Sequence, residues 1–327
     1  MSVSAFGESI VTESFINEHE FRVIALQRSG HHAIIQWLLA NIDGGYCFLN
    51  HCRPGQNPFL KQFIAANPEK RFVSNIPGIS IDEECGGRHV RKQFLIYNYE
   101  QCSLDEILDA SVVGNHDAFL GTSRTQTDVI IIRDPFNNLA SLLKMVSEFP
   151  AGIKRSLKLS SILWRDYLVA VLGVESSRIT DKLEERLVRT RDRKSLIYRE
   201  LRRAAQLWKE YAAEAAGSTK RLNNLLVINY NRWFADESYR ASLGAQLNMV
   251  SVDKGIDQVA KWGPASSFDK LSFDGRANEM KVLERWKHYA NDELYRSVCG
   301  DPELHRLSHE LFGEIEGVGV LLPEKVF

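Results

Sequence analysis

Short apolar runs alternate with longer stretches of helical periodicity along this chain, a pattern typical of an α/β protein. The run Asp128–Ile132 is almost continuously apolar, as expected of a parallel strand that is covered on both faces. The segments that predict strands are Arg22–Gln27, Gln93–Tyr99, Ala110–Gly114, Asp128–Ile132 and Asn224–Asn229, with weaker candidates at Tyr46–Leu49 and Arg71–Ser74.

Helical periodicity predicts a helix over Ala33–Ile42 and two more, Leu157–Leu172 and Ile179–Ala216, beyond Pro150. Gly217 then stands where a helix C-cap is expected. No linker is long enough to divide the chain. We therefore expect one α/β domain over residues 1–327, with a central parallel sheet flanked by helices. Residues 1–20 form a polar, loosely ordered arm in this interpretation, and residues 151–217 form a mostly helical insertion.

Charge and cysteine content narrow the function classes. The 327 residues include 41 Lys and Arg against 42 Asp and Glu, a net charge of -1, which argues against bulk binding to nucleic acid. No apolar run reaches the ~18 residues that a membrane helix needs, and the first residues lack the pattern of a secretory signal. Five cysteines are an odd number, and we interpret them as reduced thiols. These features predict a cytoplasmic protein with neither a nucleic acid nor a membrane as partner.

The first chemical motif is the predicted strand–turn–helix unit of Arg22–Ile42. A buried strand leads into the polar turn Arg28–His32, and the following helix directs backbone N–H groups and its positive end to one spot. This arrangement suits an anion such as a phosphate. The alternative is that Gly30 only permits a tight turn. The unit is not a Walker A loop, because GxxxxGK[ST] is absent, and GxGxxG is absent as well.

The second motif is Thr127–Val146, where the clearest strand ends at Arg133. Asp134 can cap the next helix, and Ser141 lies two turns further on, on the same face as the helix start. An arginine and a serine hydroxyl that converge at a strand end can hold a terminal phosphate monoester. The alternative is that Arg133 pairs with Asp134 and that Ser141 has no role.

The two motifs together, RSGHH after a first strand and R-D-P-x(5)-S after a central strand, resemble the sulfotransferases that use 3′-phosphoadenosine 5′-phosphosulfate (PAPS). The resemblance implies a P-loop NTPase-like fold and a PAPS-dependent sulfotransferase with PAP as product and no metal requirement. Arg28, Ser29 and Gly30 match the family loop that binds the 5′-phosphosulfate, and Arg133, Pro135 and Ser141 match the residues that hold the 3′-phosphate. His31, His32 and Ala33 complete the loop, with histidines where the family has hydroxyls.

Two shorter similarities extend the predicted cofactor site. Leu225–Leu243 is similar to the family's later strand, which ends in a tyrosine near the adenine, here Tyr230. Ser266–Trp286 resembles the C-terminal loop that closes over the nucleotide. The resemblance thus implies that Tyr230, Ser267, Phe268 and Arg276 contact the nucleotide. The acceptor stays open between small molecules and carbohydrates.

Sulfuryl transfer needs positive charge on the leaving phosphate and a base for the acceptor proton. Arg28 fits the first role. For the base, His116 resembles the histidine of cytosolic sulfotransferases, while Glu100 resembles the carboxylate of carbohydrate sulfotransferases. His32 or His31 would lie at the donor sulfate itself. The sequence leaves these three possibilities open.

Two other functions are compatible with the same motifs, namely a P-loop-type kinase and a non-catalytic nucleotide-binding protein. The first is disfavoured because the loop lacks GK[ST]. A zinc site is not expected, because no paired CxxC or CxxH spacing occurs. The residues considered for it are Cys47, His51, Cys52, Cys85, His89 and Cys102.

Overall fold

One six-stranded sheet organises the protein, with strand order β3-β2-β4-β1-β5-β6. The computed structural model describes residues 15–63, 71–156, 193–260 and 265–323. Neighbouring strands are parallel, except that the edge strand β3 pairs antiparallel with β2. The strands are β1 Asn17–Ala25, β2 Tyr46–Cys52, β3 Phe72–Ser74, β4 Lys92–Glu100, β5 Ser123–Ile132 and β6 Leu225–Asn229.

Helices cover both faces of the sheet, because successive residues of each inner strand point to opposite sides. In β1, Val23 and Ala25 pack towards helix α1, His31–Asn41. Ile24 packs towards helices α7, Pro135–Ser156, and α8, Arg193–Ala215. A strand segment covered in this way is apolar on both sides, which explains the unbroken hydrophobic run Val129–Ile132 at the carboxyl end of β5. The predicted fold class, an α/β protein with a central parallel sheet flanked by helices, is confirmed.

The remaining helices are short and lie mostly at the ends of the strands. Between β2 and β5 they are α2 Pro58–Phe63, α3 Ile81–Cys85, α4 Leu104–Ile107, α5 Ala110–Gly114 and α6 His116–Leu120. After β6 they are α9 Tyr230–Ala235, α10 Glu237–Gln246, α11 Glu293–Cys299 and α12 Pro302–Phe312, with 3₁₀ turns at Ala277–Glu279, Arg285–Tyr289 and Val318–Leu321. Within the described ranges, no helix is both long and apolar enough to cross a membrane.

One predicted strand is wrong. Ala110–Gly114 forms helix α5, and Asp109 caps it by accepting a hydrogen bond from the Ser111 backbone N–H. Its two valines are compatible with a strand, but Val113 is exposed and Val112 is half-buried, and the segment pairs with none of the six described strands. The other predicted strands exist, but β1 and β5 each begin five residues before the predicted runs Arg22–Gln27 and Asp128–Ile132. Asn17–Glu20 therefore belong to β1 and not to the predicted loosely ordered arm. The predicted helix Leu157–Leu172 lies outside the described residues.

Helix α8 ends as its sequence indicates. Gly217 has φ +74°, and the Gly217 and Ser218 N–H groups donate to the carbonyl oxygens of Glu214 and Ala213. A left-handed glycine is the usual way to satisfy the last carbonyls of a helix. The predicted C-cap is confirmed.

Candidate functional site

The carboxyl ends of the parallel strands converge on one region, which is where open α/β sheets bind their ligands. The loop after β1 carries Arg28–Gly30, and β5 leads into Arg133. Glu100 ends β4, Tyr230 follows β6, and His51 lies at the irregular end of β2. Residues that are far apart in the sequence therefore meet because of the strand order.

The loop after β1 has a left-handed turn at both ends. Arg28 has φ +65° and Gly30 has φ +86°, and α1 begins directly afterwards. A Cβ atom on Gly30 would lie 2.1 Å from Cε2 of the Tyr230 ring, so glycine is required for space as well as conformation. The N–H groups of His31 and His32 belong to the first turn of α1, where the helix itself offers no acceptor. This β1–loop–α1 unit has the strand–loop–helix arrangement of a P-loop.

Arg133 is held rigidly at the start of α7. Its backbone carbonyl accepts a hydrogen bond of 2.8 Å from the Trp208 indole, and its guanidinium donates to the carbonyl oxygens of Arg28 (3.2 Å) and Val282. Asp134 caps α7 by accepting from the Asn137 N–H at 2.8 Å. The Asp134 carboxylate is thus committed to the helix, which removes the simple Arg133–Asp134 pair considered from the sequence.

Ser141 lies between two guanidinium groups. Its Oγ accepts from Nη1 of Arg133 and from Nη1 of Arg285, each at 3.2 Å, and donates to the Asn137 carbonyl at 2.8 Å. Arg133 and Arg285 are 1% and 6% exposed. Two buried cations that point at one hydroxyl create a strongly positive spot, and a phosphate group is the natural ligand for such a spot.

Arg28 adds a third guanidinium to this region. Its Nε and one Nη donate to Ser267 Oγ and to the Ala265 carbonyl, each at 2.7 Å. Burial, together with the nearby Arg285 and Arg133, lowers the pKa of Arg28 to about 10. Burial and Arg285 lower the pKa of Arg133 to about 10 as well. Arg28 and Arg133 therefore still carry their charge at neutral pH.

Little negative charge balances these three cations. Asp269 pairs with Arg285 at 3.0 Å. Glu100 and Asp134 act on Arg28 and Arg133, respectively, but among the described residues no carboxylate forms an ion pair with either arginine. The Nε–H of Arg133 is buried without a hydrogen-bond partner in the same set. Buried charges are normally paired, so this imbalance indicates a site for an anionic ligand.

Beside the loop, Glu100 forms a second polar cluster. Its Oε1 lies 3.1 Å from His51 Nδ1, 3.2 Å from His31 Nε2 and 3.5 Å from His32 Nε2. Burial alone would raise the pKa of Glu100, but His51 and His31 outweigh it and hold that pKa well below its usual range. Burial, with His31 nearby, lowers the pKa of His32 to about 3. At neutral pH, Glu100 is therefore ionised and His32 is neutral.

A cleft joins the three arginines and the loop to an apolar wall. Its polar end includes Arg28, His32, Arg133 and Arg285. The apolar wall is made of aromatic rings and aliphatic side chains, which suit a planar heterocycle that stacks between them. The wall consists of Tyr230, Trp233, Phe234, Ile256, Val259, Ala277, Met280 and Val282.

Most of the predicted cofactor residues are brought together here. Arg28, Gly30, His31, His32, Ala33, Arg133 and Tyr230 line the cleft. Ser29, Ser141 and Ser267 are buried beside these residues, and Ser267 Oγ donates to the Ser141 carbonyl at 2.9 Å. The Phe268 ring covers the guanidinium of Arg285, with 5.1 Å between the ring centroid and Cζ.

Two predicted site residues lie elsewhere. Arg276 is exposed and pairs with Glu279 at 3.3 Å. His116 begins helix α6 rather than following a strand, and its Nε2 is 2.7 Å from Glu20 Oε1. Glu20 is five residues before the end of β1, about 16 Å along the strand from its carboxyl end. The structure therefore does not bring His116 to the loop, which leaves Glu100 and the loop histidines as candidate bases.

The structure adds residues that the site prediction lacked. Arg285 lies in the segment Ser266–Trp286 that resembles the closing loop, but it is not among the predicted site residues, although it shares Ser141 with Arg133. His51 and Asn50 at the end of β2 contact Glu100 and His32, respectively. No local pattern marks these two residues, because their partners come from β4 and α1.

Comparisons with known proteins add little. No family model and no curated protein matches this chain. A solved structure, mouse sulfotransferase SULT7A1 in complex with PAP, aligns with 93% of this chain and 88% of its own chain, at 13% identity and a TM-score of 0.38. A similarity at this level carries no argument about function, so the case for a function depends on the site itself.

Proposed function

We propose that this protein is a PAPS-dependent sulfotransferase, which moves a sulfuryl group from PAPS to a hydroxyl or amine of a small-molecule or carbohydrate acceptor. The observation that carries the proposal is the convergence of Arg133 and Arg285 on Ser141, next to a P-loop-like turn. A donor with phosphate groups at two positions of one nucleoside fits a cleft that offers two adjoining anion sites. The sequence motifs RSGHH and R-D-P-x(5)-S support the same assignment.

In this proposal the 3′-phosphate binds between Arg133, Arg285 and Ser141. The 5′-phosphosulfate binds at the loop, where the first N–H groups of α1 and the Arg28 guanidinium meet it. The two anion sites adjoin, because Arg133 Nη1 donates to the Arg28 carbonyl at 3.2 Å. The adenine lies against the apolar wall, with Tyr230 and Trp233 as its nearest aromatic groups.

During transfer, the bond between sulfur and the bridging phosphate oxygen breaks while a bond from sulfur to the acceptor oxygen or nitrogen forms. Negative charge develops on the leaving phosphate, and Arg28 stabilises it. The acceptor's proton goes to His32, which is neutral; burial lowers its pKa to about 3 in the free protein, and the negative charge of the bound donor would raise that pKa towards the range of a general base. Asn50 Oδ1 can only accept, so its 2.9 Å contact fixes the His32 proton on Nε2 and leaves Nδ1 as a free base. Glu100 and Asn50 position His32 in this role.

The proposal is tested by calorimetry with PAP, AMP and ATP with Mg²⁺. We expect PAP to bind most tightly, because only PAP fills both anion sites. Ser141→Ala and Arg285→Ala should weaken PAP binding and leave AMP binding nearly unchanged. Arg276→Ala is a matched control, since this arginine is exposed and outside the cleft. Equal binding of PAP and AMP, or tightest binding of ATP with Mg²⁺ as a kinase requires, would contradict the proposal.

Catalysis is tested separately from binding. A screen of hydroxyl and amine acceptors with radiolabelled PAPS should give labelled product with the wild-type protein and far less with His32→Gln. Retained PAP binding without transfer to any acceptor in a broad screen would instead support a nucleotide-binding protein that is not an enzyme.

A further inference from the structure

The Glu100 cluster has more nitrogen neighbours than hydrogen bonding can satisfy. Four side chains approach Oε1 within 3.5 Å, namely His31, His32, His51 and Asn98, the last with its Nδ2 at 3.2 Å. A carboxylate oxygen has two lone pairs, so it cannot accept from all four in good geometry. His32 Nε2 already has Asn50 Oδ1 as a partner at 2.9 Å, so hydrogen bonds account for part of this cluster, and His31 Nε2 is the nitrogen that they leave out.

One buried nitrogen atom of the cluster lacks a hydrogen bond. His31 Nε2 is buried and has no hydrogen-bond partner among the described residues, although Glu100 Oε1 is only 3.2 Å away. The His31 side chain is 4% exposed, so water cannot readily satisfy this nitrogen. Its other ring nitrogen, Nδ1, lies 3.2 Å from the Ser29 hydroxyl. A buried ring nitrogen that touches a carboxylate without a well-directed hydrogen bond is free to bind a ligand there.

Two of the three distances in this cluster match those between the ligands of one metal ion. Atoms that bind zinc tetrahedrally at 2.0–2.1 Å are about 3.3 Å from one another. The observed separations from Glu100 Oε1 are 3.2 Å to His31 Nε2 and 3.5 Å to His32 Nε2. The three atoms all lie within 4.8 Å of one another. Two imidazoles with one carboxylate form a common donor set for divalent transition metals.

We propose that His31, His32 and Glu100 bind one divalent transition-metal ion such as Zn²⁺. Ser29 then orients His31 through its second ring nitrogen, as the outer contacts of metal-binding histidines usually do. Asn50 Oδ1, 2.9 Å from His32 Nε2, and His51 lie beside the ion as further oxygen and nitrogen donors.

This site stands whether or not the protein is a sulfotransferase. If both proposals hold, metal binding and base catalysis compete for the His32 side chain. An imidazole that binds a metal through Nε2 carries its proton on Nδ1, so it donates a hydrogen bond and no longer serves as a base. The metal-loaded and metal-free forms then differ in their transfer rate.

The test is metal binding by the full-length chain, without nucleotide. Protein treated with EDTA and then dialysed is titrated with ZnCl₂, and the bound metal is counted after gel filtration. We expect one equivalent for the wild type and a loss of that equivalent in His32→Asn and Glu100→Gln. His116→Asn is the matched control and should keep the metal, because His116 also faces carboxylates but lies outside this cluster.

A second measurement needs no variant, in case a buried substitution prevents folding. CoCl₂ in place of zinc should give the visible absorption of cobalt bound by nitrogen and oxygen, without the thiolate charge-transfer band in the near ultraviolet. Absence of binding by the wild type, equal binding by all variants, or a thiolate band that points to the free cysteines would each overturn the proposal. None of these outcomes depends on PAP binding, so the two proposals can fail separately.

Discussion

Replacement of Gly30 by alanine tests how the loop is built. The new Cβ would lie 2.1 Å from Cε2 and 2.6 Å from Cδ2 of Tyr230, against an ordinary carbon contact of at least about 3.5 Å. The ring or the loop must therefore move by about 1.5 Å. We expect the free energy of unfolding to fall by about 1 kcal/mol because of the left-handed backbone and by a further ~1–3 kcal/mol because of the overpacked contact, a total of about 2–4 kcal/mol.

Gly217 supplies the control for this experiment. It has φ +74°, close to the +86° of Gly30, but no atom lies within 4 Å of the position that a Cβ would take there. Gly217→Ala should therefore cost only the backbone contribution, about 1 kcal/mol in urea unfolding. The double variant Gly30→Ala with Tyr230→Ala should be ~1–3 kcal/mol more stable than the sum of the single changes predicts. Equal costs at the two glycines, together with additivity at Gly30 and Tyr230, would refute the argument.

Three further changes test other parts of the structure. Arg133→Ala should weaken PAP binding by about 10–150-fold in calorimetry, from the loss of ~1.5–3 kcal/mol of charged hydrogen bonds, and unchanged affinity would remove Arg133 from the site. Burial lowers the pKa of His116, but the contact with Glu20 outweighs it and raises that pKa in the folded protein. The protonated His116 therefore stabilises the fold fully below pH ~6.5, the usual pKa of histidine, and this stabilisation is lost as pH rises through the folded-state pKa. His116→Asn should thus lower the free energy of unfolding more at pH 5.5 than at pH 8.5, and a pH-independent effect would contradict this. Lys92→Met leaves the buried Glu84 without its ammonium partner at 2.9 Å and should cost about 3 kcal/mol in urea unfolding, whereas an unchanged midpoint would contradict the role of this pair.

The sequence predicts the fold well where buried residues follow one another in a regular pattern, as they do in the inner strands. The inner strands β1, β4 and β5 each contain a short apolar run towards their carboxyl half or centre, so these runs are visible without knowledge of their partners. Ala110–Gly114 fails for the opposite reason. Its two valines form a short apolar run, but a helix cap at Asp109 decides the local structure, and the run is too short for periodicity to distinguish the two.

The candidate site is predictable only where its residues are neighbours in the chain. The loop Arg28–His32 and the Arg133–Ser141 spacing are local features, and both lead to the cleft. His51 meets Glu100 because β2 and β4 are adjacent in the sheet, which no short segment encodes. His116 shows the opposite error, because the sequence places it in the site but its side chain contacts Glu20, away from the strand ends where the loop lies.

The position of β1 has a consequence for how the chain folds during synthesis. β1 precedes the other described strands in the chain but lies inside the sheet, where Val23 pairs with Asn98 on one side and with Val129 on the other. The second partner is 106 residues later in the chain. At about 5–20 residues per second, a ribosome needs roughly 5–20 s to supply it, and the apolar edge of β1 stays unpaired for that time. Refolding of the complete chain from denaturant has no such delay, so we expect the two routes to differ in their tendency to aggregate.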